Sequence, residues 1–216
     1  GIAYRTISEY GAACQEIEEA VRISPDVAAW YNDLGICYER RGWLHEAVQA
    51  FEKAIELQPG EPVYLSNAGN VLRQQRKHDL ALQHLQKAIE LDSNFAEPYH
   101  QMALVMQDMG RFDDAYDLFQ RSISLSPDNP RYHYNLGILM RSQGDLHDAI
   151  NQVSKAIDIQ PNNAEWHSTL ADLYFQIGML DKARKEAEEA SRLDPDNYRY
   201  HRQLSVIARE TQDLDQ

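Results

Sequence analysis

Cysteine is scarce: there are two in 216 residues, too few to staple a small scaffold, which excludes a disulfide-built mini-protein. Long apolar runs are missing too. The longest stretch without Asp, Glu, Lys or Arg is the eleven residues from Pro62 to Leu72, whereas a membrane-spanning helix takes about 20 apolar residues. No membrane insertion is expected. Positive charge is in deficit, with 21 Lys and Arg against 34 Asp and Glu for a net −13. That argues against nucleic acid as a partner, because phosphate binding needs a basic surplus. No N-terminal stretch has the basic, apolar, small-residue order of a secretory leader, which points to a cytoplasmic, reducing compartment. Gly-x-Ser-x-Gly, a Walker loop, Cys-x-x-Cys and His-Glu-x-x-His are all absent. The expectation is therefore no enzyme, no cofactor and no bound metal. With 43% hydrophobic and 25% charged residues the balance is that of an ordinary globular chain able to bury a core.

What is present is periodic. Pro25, Pro59, Pro127, Pro161 and Pro195 are 34, 68, 34 and 34 residues apart, and a fixed spacing of helix breakers signals a repeat. Counting positions 1 to 34 from Ala28 divides the chain into 28–61, 62–95, 96–129, 130–163 and 164–197, with a partial repeat at 1–27 and a closing segment at 198–213. Position 8 reads Gly35, Gly69, Ala103, Gly137 and Ala171, and position 15 reads Gly42, Arg76, Gly110, Gly144 and Gly178. Position 20 is alanine throughout: Ala13, Ala47, Ala81, Ala115, Ala149 and Ala183.

Each repeat reads as two helices. Positions 4, 7, 8 and 11, as in Tyr31, Leu34, Gly35 and Tyr38, form one helical stripe, and positions 20, 24, 27 and 28, as in Ala47, Phe51, Ala54 and Ile55, form a second. Glycine at position 15 suits the left-handed turn that ends the first helix. Proline at position 32 stops the second, and a nearby Asp or Asn caps the next. The small residues at positions 8, 20 and 27 imply that helices approach there too closely for a larger side chain.

These residues resemble the tetratricopeptide repeat family, whose order of an aromatic, Leu-Gly, Tyr, Ala, Phe, Ala and Pro is matched by Tyr31, Leu34, Gly35, Tyr38, Ala47, Phe51, Ala54 and Pro59. The match recurs across 28–197, with departures at His133, His167 and His201, and at Arg76 and Ser93. The resemblance implies an all-α fold, a right-handed α-solenoid of stacked antiparallel helix pairs in one domain over 1–216. It also implies that first helices line a concave wall and second helices a convex one. The chain opens at position 8, in mid-helix, which suggests excision from a longer protein. Residues 198–213 read as a capping helix with Tyr198, His201, Leu204 and Ala208 inward.

Isolated candidates for chemistry have plainer explanations. His133, His167 and His201 are 34 apart, but equivalent atoms of neighbouring repeats should lie roughly 8–10 Å apart, too far to share one metal ion, so they read as packing residues. Cys14 and Cys37 fall on adjacent helices, and buried free thiols are the favoured reading.

The charges divide by layer. Positions 17–31 carry 19 acidic and 9 basic residues, whereas the remaining positions carry 15 and 12, eleven of the twelve being arginine. Positions 2, 5, 6, 9, 12 and 13 avoid the packing stripe, so they should line the groove. Position 6 is rich in amides: Asn67, Gln101, Asn135 and Gln203. Such side chains both donate and accept, and can hold an extended peptide backbone without reading its sequence. The candidate groove residues are Asn67, Asn70, Arg73, His100, Gln101, Leu104, Tyr134, Asn135, Ile138 and Arg141. Chaperone-tail receptors of the family use a lysine at position 5. Here that position reads Asn32, Ser66, His100, Tyr134 and Ser168, which argues against an Hsp70 or Hsp90 tail as partner. The expected function is a non-catalytic scaffold binding a protein or extended peptide. Two rivals stand beside it: a regulatory or substrate-presenting arm of a larger enzyme, such as a glycosyltransferase or kinase, and a homo-oligomer assembled through the incomplete first repeat, whose residues 10–24 would lack a cover.

Overall fold

Every break marked by proline or glycine is a break between helices in the structure, a computed structural model that describes residues 14–214, with side chains described through Glu210. The expectations for the first helix of the partial repeat, for Ala13 and for the start of the uncovered face lie outside the described residues. The chain divides into two compact units, Gly1–Arg121 and Ser122–Gln216. The first holds the helical residues 14–23 (α1), α2 (Ala28–Arg40), α3 (Leu44–Leu57), α4 (Pro62–Gln74), α5 (His78–Leu91), α6 (Ala96–Asp108) and most of α7 (Phe112–Leu125). The second holds the end of α7, then α8 (Pro130–Gln143), α9 (Leu146–Ile159), α10 (Ala164–Gln176), α11 (Leu180–Leu193) and α12 (Tyr198–Leu214). There is no strand among the described residues, and none of their helices is long and apolar enough to cross a membrane.

Within each unit the two helices of a repeat pack on one another, and the second helix then packs on the first helix of the next repeat: α3 on α4 and α5 on α6 in one unit, α9 on α10 and α11 on α12 in the other. Small residues set the spacing. A Cβ added to Gly35 would sit 2.6 Å from the Phe51 ring, one on Gly69 2.6 Å from Leu85 Cγ, and one on Gly137 2.8 Å from Val153 Cγ2. Position 8 thus meets position 24 of its own repeat. Ala47, Ala81, Ala115, Ala149 and Ala183 are all fully buried, as the unbroken run of alanine at that position requires.

The helix ends follow from local chemistry. Asn129 and Asn163 cap α8 and α10 by accepting from Arg131 N–H and Glu165 N–H at 3.1 Å. Gly42, Gly110, Gly144 and Gly178 all have φ between +74° and +89°, and the N–H of the next residue closes on a carbonyl five residues back, as Asp145 N–H does on Met140 at 3.0 Å. Arg76 performs the same turn with φ +59°, and Lys77 N–H reaches Leu72 at 2.9 Å. A side chain in this backbone region costs about 1–2 kcal/mol. Arg76→Gly should therefore stabilise the protein by about 1 kcal/mol, read as a higher urea midpoint at unchanged slope.

Three expectations need correction. The cysteines are not free thiols: Cys14 and Cys37 form a disulfide, with Cα atoms 5.7 Å apart. The reason lies in the repeat itself. The residues 34 further on, Val48 and Val71, share one apolar cluster between α3 and α4, so the two cysteines occupy the same inter-repeat contact. Second, Tyr198 is 72% exposed and His201 is exposed. Positions 1 and 4 are covered by the second helix of their own repeat, and no such helix follows α12 among the described residues. Third, the first-helix stripe is wider than positions 4, 7, 8 and 11. Position 10 is buried in every case (Cys37, Val71, Val105, Leu139, Leu173 and Ile207), and Val71 shares an apolar cluster with Val48 and Phe51 of the preceding repeat. Ile207 of α12 likewise packs against Ala171, Ala183 and Ala187.

Candidate functional site

The first helices α2, α4 and α6 of one unit, and α8, α10 and α12 of the other, carry the candidate residues. In the first unit α2 also touches α4 and α4 touches α6; in the second, α10 touches α12. This sideways packing links position 5 or 12 of one repeat to position 6 or 13 of the next, 35 residues on. Asn67 Nδ2 donates to Asn32 Oδ1 at 2.8 Å, and Arg73 Nη1 donates to Asp108 Oδ2 at 2.9 Å. In the second unit Tyr134 and Thr169 share a hydroxyl contact of 3.2 Å, and Ser168 Oγ donates to Gln203 Oε1 at 2.8 Å. A second spacing, 31 residues, joins Asn70 Nδ2 to Glu39 Oε1 at 2.8 Å. The sequence expectation of a solvent-facing amide row did not include these lateral bonds. The signal that could have found them is a pairing of polar residues at 35 rather than 34.

Asn67, Asn70, Arg73 and Leu104 are half-buried on the first unit's first-helix layer, and Tyr134, Asn135, Ile138 and Arg141 are half-buried on the second's. His100 and Gln101 depart from expectation. The His100 ring is fully buried, 5.6 Å from that of Phe119. Gln101 is 4% exposed and its Nε2 donates to Glu97 at 2.6 Å. His100 packs against Phe119 of α7 and Gln101 is bonded back onto its own helix, so neither side chain lines an open face.

Tyr134 stacks on Trp166 with ring centroids 5.6 Å apart. Burial above all pushes its phenol above the ordinary tyrosine value; the Thr169 hydrogen bond opposes this and the Glu165 carboxylate adds to it. Tyr134 therefore stays a neutral donor in neutral solution. Beyond it, the second unit holds a cleft of about 510 Å³ between α10 and α12, bounded by Asp172, Phe175, Arg199, Arg202, Gln203 and Val206.

The histidines that replace the aromatic at position 4 are tied to backbone. His133 Nε2 meets Pro127 O at 3.0 Å, His167 Nε2 meets Pro161 O at 2.9 Å and His201 Nε2 meets Pro195 O at 2.8 Å. Tyr99 makes the corresponding bond from its hydroxyl to Ser93 O at 3.2 Å. The remaining nitrogen of His167 meets Glu186 at 2.7 Å, and that of His133 meets Gln152 at 2.9 Å. Each ring pins the end of the preceding second helix. Among the described residues no group of three or more His, Cys, Asp or Glu could hold a metal ion.

Sequence profiles of the tetratricopeptide repeat match residues 28–61, 94–162 and 140–207, and a TPR repeat profile matches 69–110. No curated protein matches. Among solved structures, the APC/C hetero-tetramer Cut9–Hcn1 aligns with a TM-score of 0.80 at 18% identity, over 96% of this chain and 41% of that one. This chain thus spans less than half of that relative. PilF of Pseudomonas aeruginosa aligns with a TM-score of 0.75 at 21% identity, over 94% of this chain and 88% of that one. YrrB, described as a TPR protein with an unusual peptide-binding site, aligns with a TM-score of 0.58 at 18% identity, over 90% and 97% of the two chains.

Proposed function

The chain belongs to the tetratricopeptide repeat family, and from that premise we propose that it is a non-catalytic scaffold that holds an extended protein segment against its first helices. The observation that carries this reading is the unspent hydrogen-bonding capacity of the half-buried amides. Asn67 and Asn70 each commit one N–H to a neighbouring repeat. An amide has two such donors and a carbonyl oxygen, so each retains a donor and an acceptor, the complement of one peptide unit. The lateral bonds fix the amides in place, which lowers the entropy lost when a ligand binds. Leu104 in one unit and Ile138 in the other supply apolar contact beside the amides, and Phe175 and Val206 do so in the cleft between α10 and α12. YrrB, similar in fold, is described as having a peptide-binding site, which agrees with this reading.

The test is selection from a displayed library of random peptides, followed by affinity measurement on Asn67→Ala/Asn70→Ala/Asn135→Ala. Each hydrogen bond contributes roughly 0.5–1.5 kcal/mol, so the triple variant should bind selected peptides at least about 10-fold more weakly with its helical circular dichroism unchanged. Equal affinity in the two proteins would dismiss the amides as ligands.

A further inference from the structure

Position 15 is where the repeat turns left-handed, and Arg76 alone among residues 42, 76, 110, 144 and 178 is not glycine there. Backbone strain of this kind persists where the surrounding structure makes use of it. Beside Arg76 lies a pocket of about 290 Å³, walled by Arg73, Gln74, Arg76, His78 and Asp108. Two nitrogens in that wall, Nε of Arg73 and Nδ1 of His78, are buried and have no hydrogen-bond partner within the protein. Arginine Nε is only ever a donor and its guanidinium is always charged, so this atom of Arg73 has a demand for an acceptor that the fold does not itself meet. Buried polar atoms left this way call for an explanation.

The charges agree. Asp108 is the pocket's only acid and takes Nη1 of Arg73 at 2.9 Å, which steadies the guanidinium without occupying Nε. The carboxylate of Glu39 is engaged outside the wall by the amides of Asn70 and Gln74. Two arginines against one aspartate leave a positive pocket in a molecule of net charge −13.

We propose that this pocket is an oxyanion site that takes a phosphate group, free or carried on a phosphoserine side chain. The donors come from Arg73 at the end of α4, from Arg76 in the turn and from His78 at the start of α5. Three separate sources suit the several oxygens of a phosphate better than the two coplanar oxygens of a carboxylate. Arg76 is the residue that converts a plain helical turn into a site, and this accounts for a side chain being kept in a backbone conformation that favours glycine. The proposal stands apart from the peptide reading, since its probe contacts neither Asn67 nor Asn70.

The test is a thermal melt of the full chain titrated with inorganic phosphate against chloride at matched ionic strength. Phosphate should raise the wild-type Tm saturably. Arg76→Gly should start from a higher Tm, because the turn is relieved, and should lose the phosphate-dependent rise. That higher baseline certifies the fold of the variant. Asp108→Asn keeps an oxygen acceptor for Nη1 of Arg73 while removing the negative charge from the wall, and should lower the apparent Kd for phosphate roughly fivefold. O-Phosphoserine binding more tightly than inorganic phosphate would identify the group as protein-borne, and the reverse order would identify it as free; serine should do nothing. An equal rise in wild type and Arg76→Gly, or no saturable rise in wild type, overturns the proposal.

Discussion

Phe51→Ala should cost the protein about 3–5 kcal/mol, the range for truncating a buried aromatic ring. Phe51 is fully buried in the cluster shared by α3, α4 and α5. Its ring occupies the space that Gly35 leaves: a single carbon added to that glycine would come within 2.6 Å of the ring. Glycine cannot extend to refill the hole, and the helices on either side are fixed by further contacts, so most of the cavity should persist. The other repeats show the same complementarity with different sizes, as Gly69 meets Leu85 and Gly137 meets Val153. Stacked repeats touch only their neighbours, so the loss should concentrate in α2, α3 and α4. Urea denaturation followed by circular dichroism gives the magnitude, and amide exchange gives the location. A cost below about 1 kcal/mol, the usual scale for a surface position, would mean that the ring is not the filler it is taken for.

Severing the Cys14–Cys37 disulfide should cost about 3 kcal/mol, from the entropy returned to an unfolded chain no longer closed into a loop of 23 residues. Reduction alone would mix this effect with the packing of two thiols. Cys14→Val/Cys37→Val separates them, because it installs the pair that the next repeat carries as Val48 and Val71. With packing reproduced, the difference from the oxidised wild type is the cross-link itself. The variant should melt earlier, and the difference should disappear when both proteins are studied under reducing conditions. If it survives reduction, the stabilisation comes from something other than the covalent bond.

Most of the architecture was legible because repetition converts weak local signals into strong ones. One alanine means little, but alanine at Ala47, Ala81, Ala115, Ala149 and Ala183 specifies a close contact, and each is buried. The left-handed turns at the glycines were legible for the same reason, whereas Arg76, a departure from the pattern in sequence, makes the same turn in the structure. Periodicity identifies residues that are alike, however, and does not reveal which residue each one meets. That depends on the sideways approach of one first helix to the next, a tertiary quantity. Hence Asn67 could be placed on the first-helix layer, while its bond to Asn32 could not be foreseen. Likewise His100 and Gln101, expected on an open face, are buried, the first against Phe119 and the second bonded to Glu97. The sequence places Cys14 and Cys37 on adjacent helices but favours buried free thiols; that they share one contact, as their counterparts Val48 and Val71 do, is what the disulfide shows.

The lateral bonds at a spacing of 35 limit how such a chain can change its length. Excising residues 62–95, a full 34, would bring Gln101 beside Asn32 where Asn67 now stands, one amide replacing another. Excising 33 would shift every downstream residue by about 100° around its helix, turning polar side chains toward the apolar seam. Growth and loss in this lineage are therefore quantised, and the unit of currency is the whole hairpin.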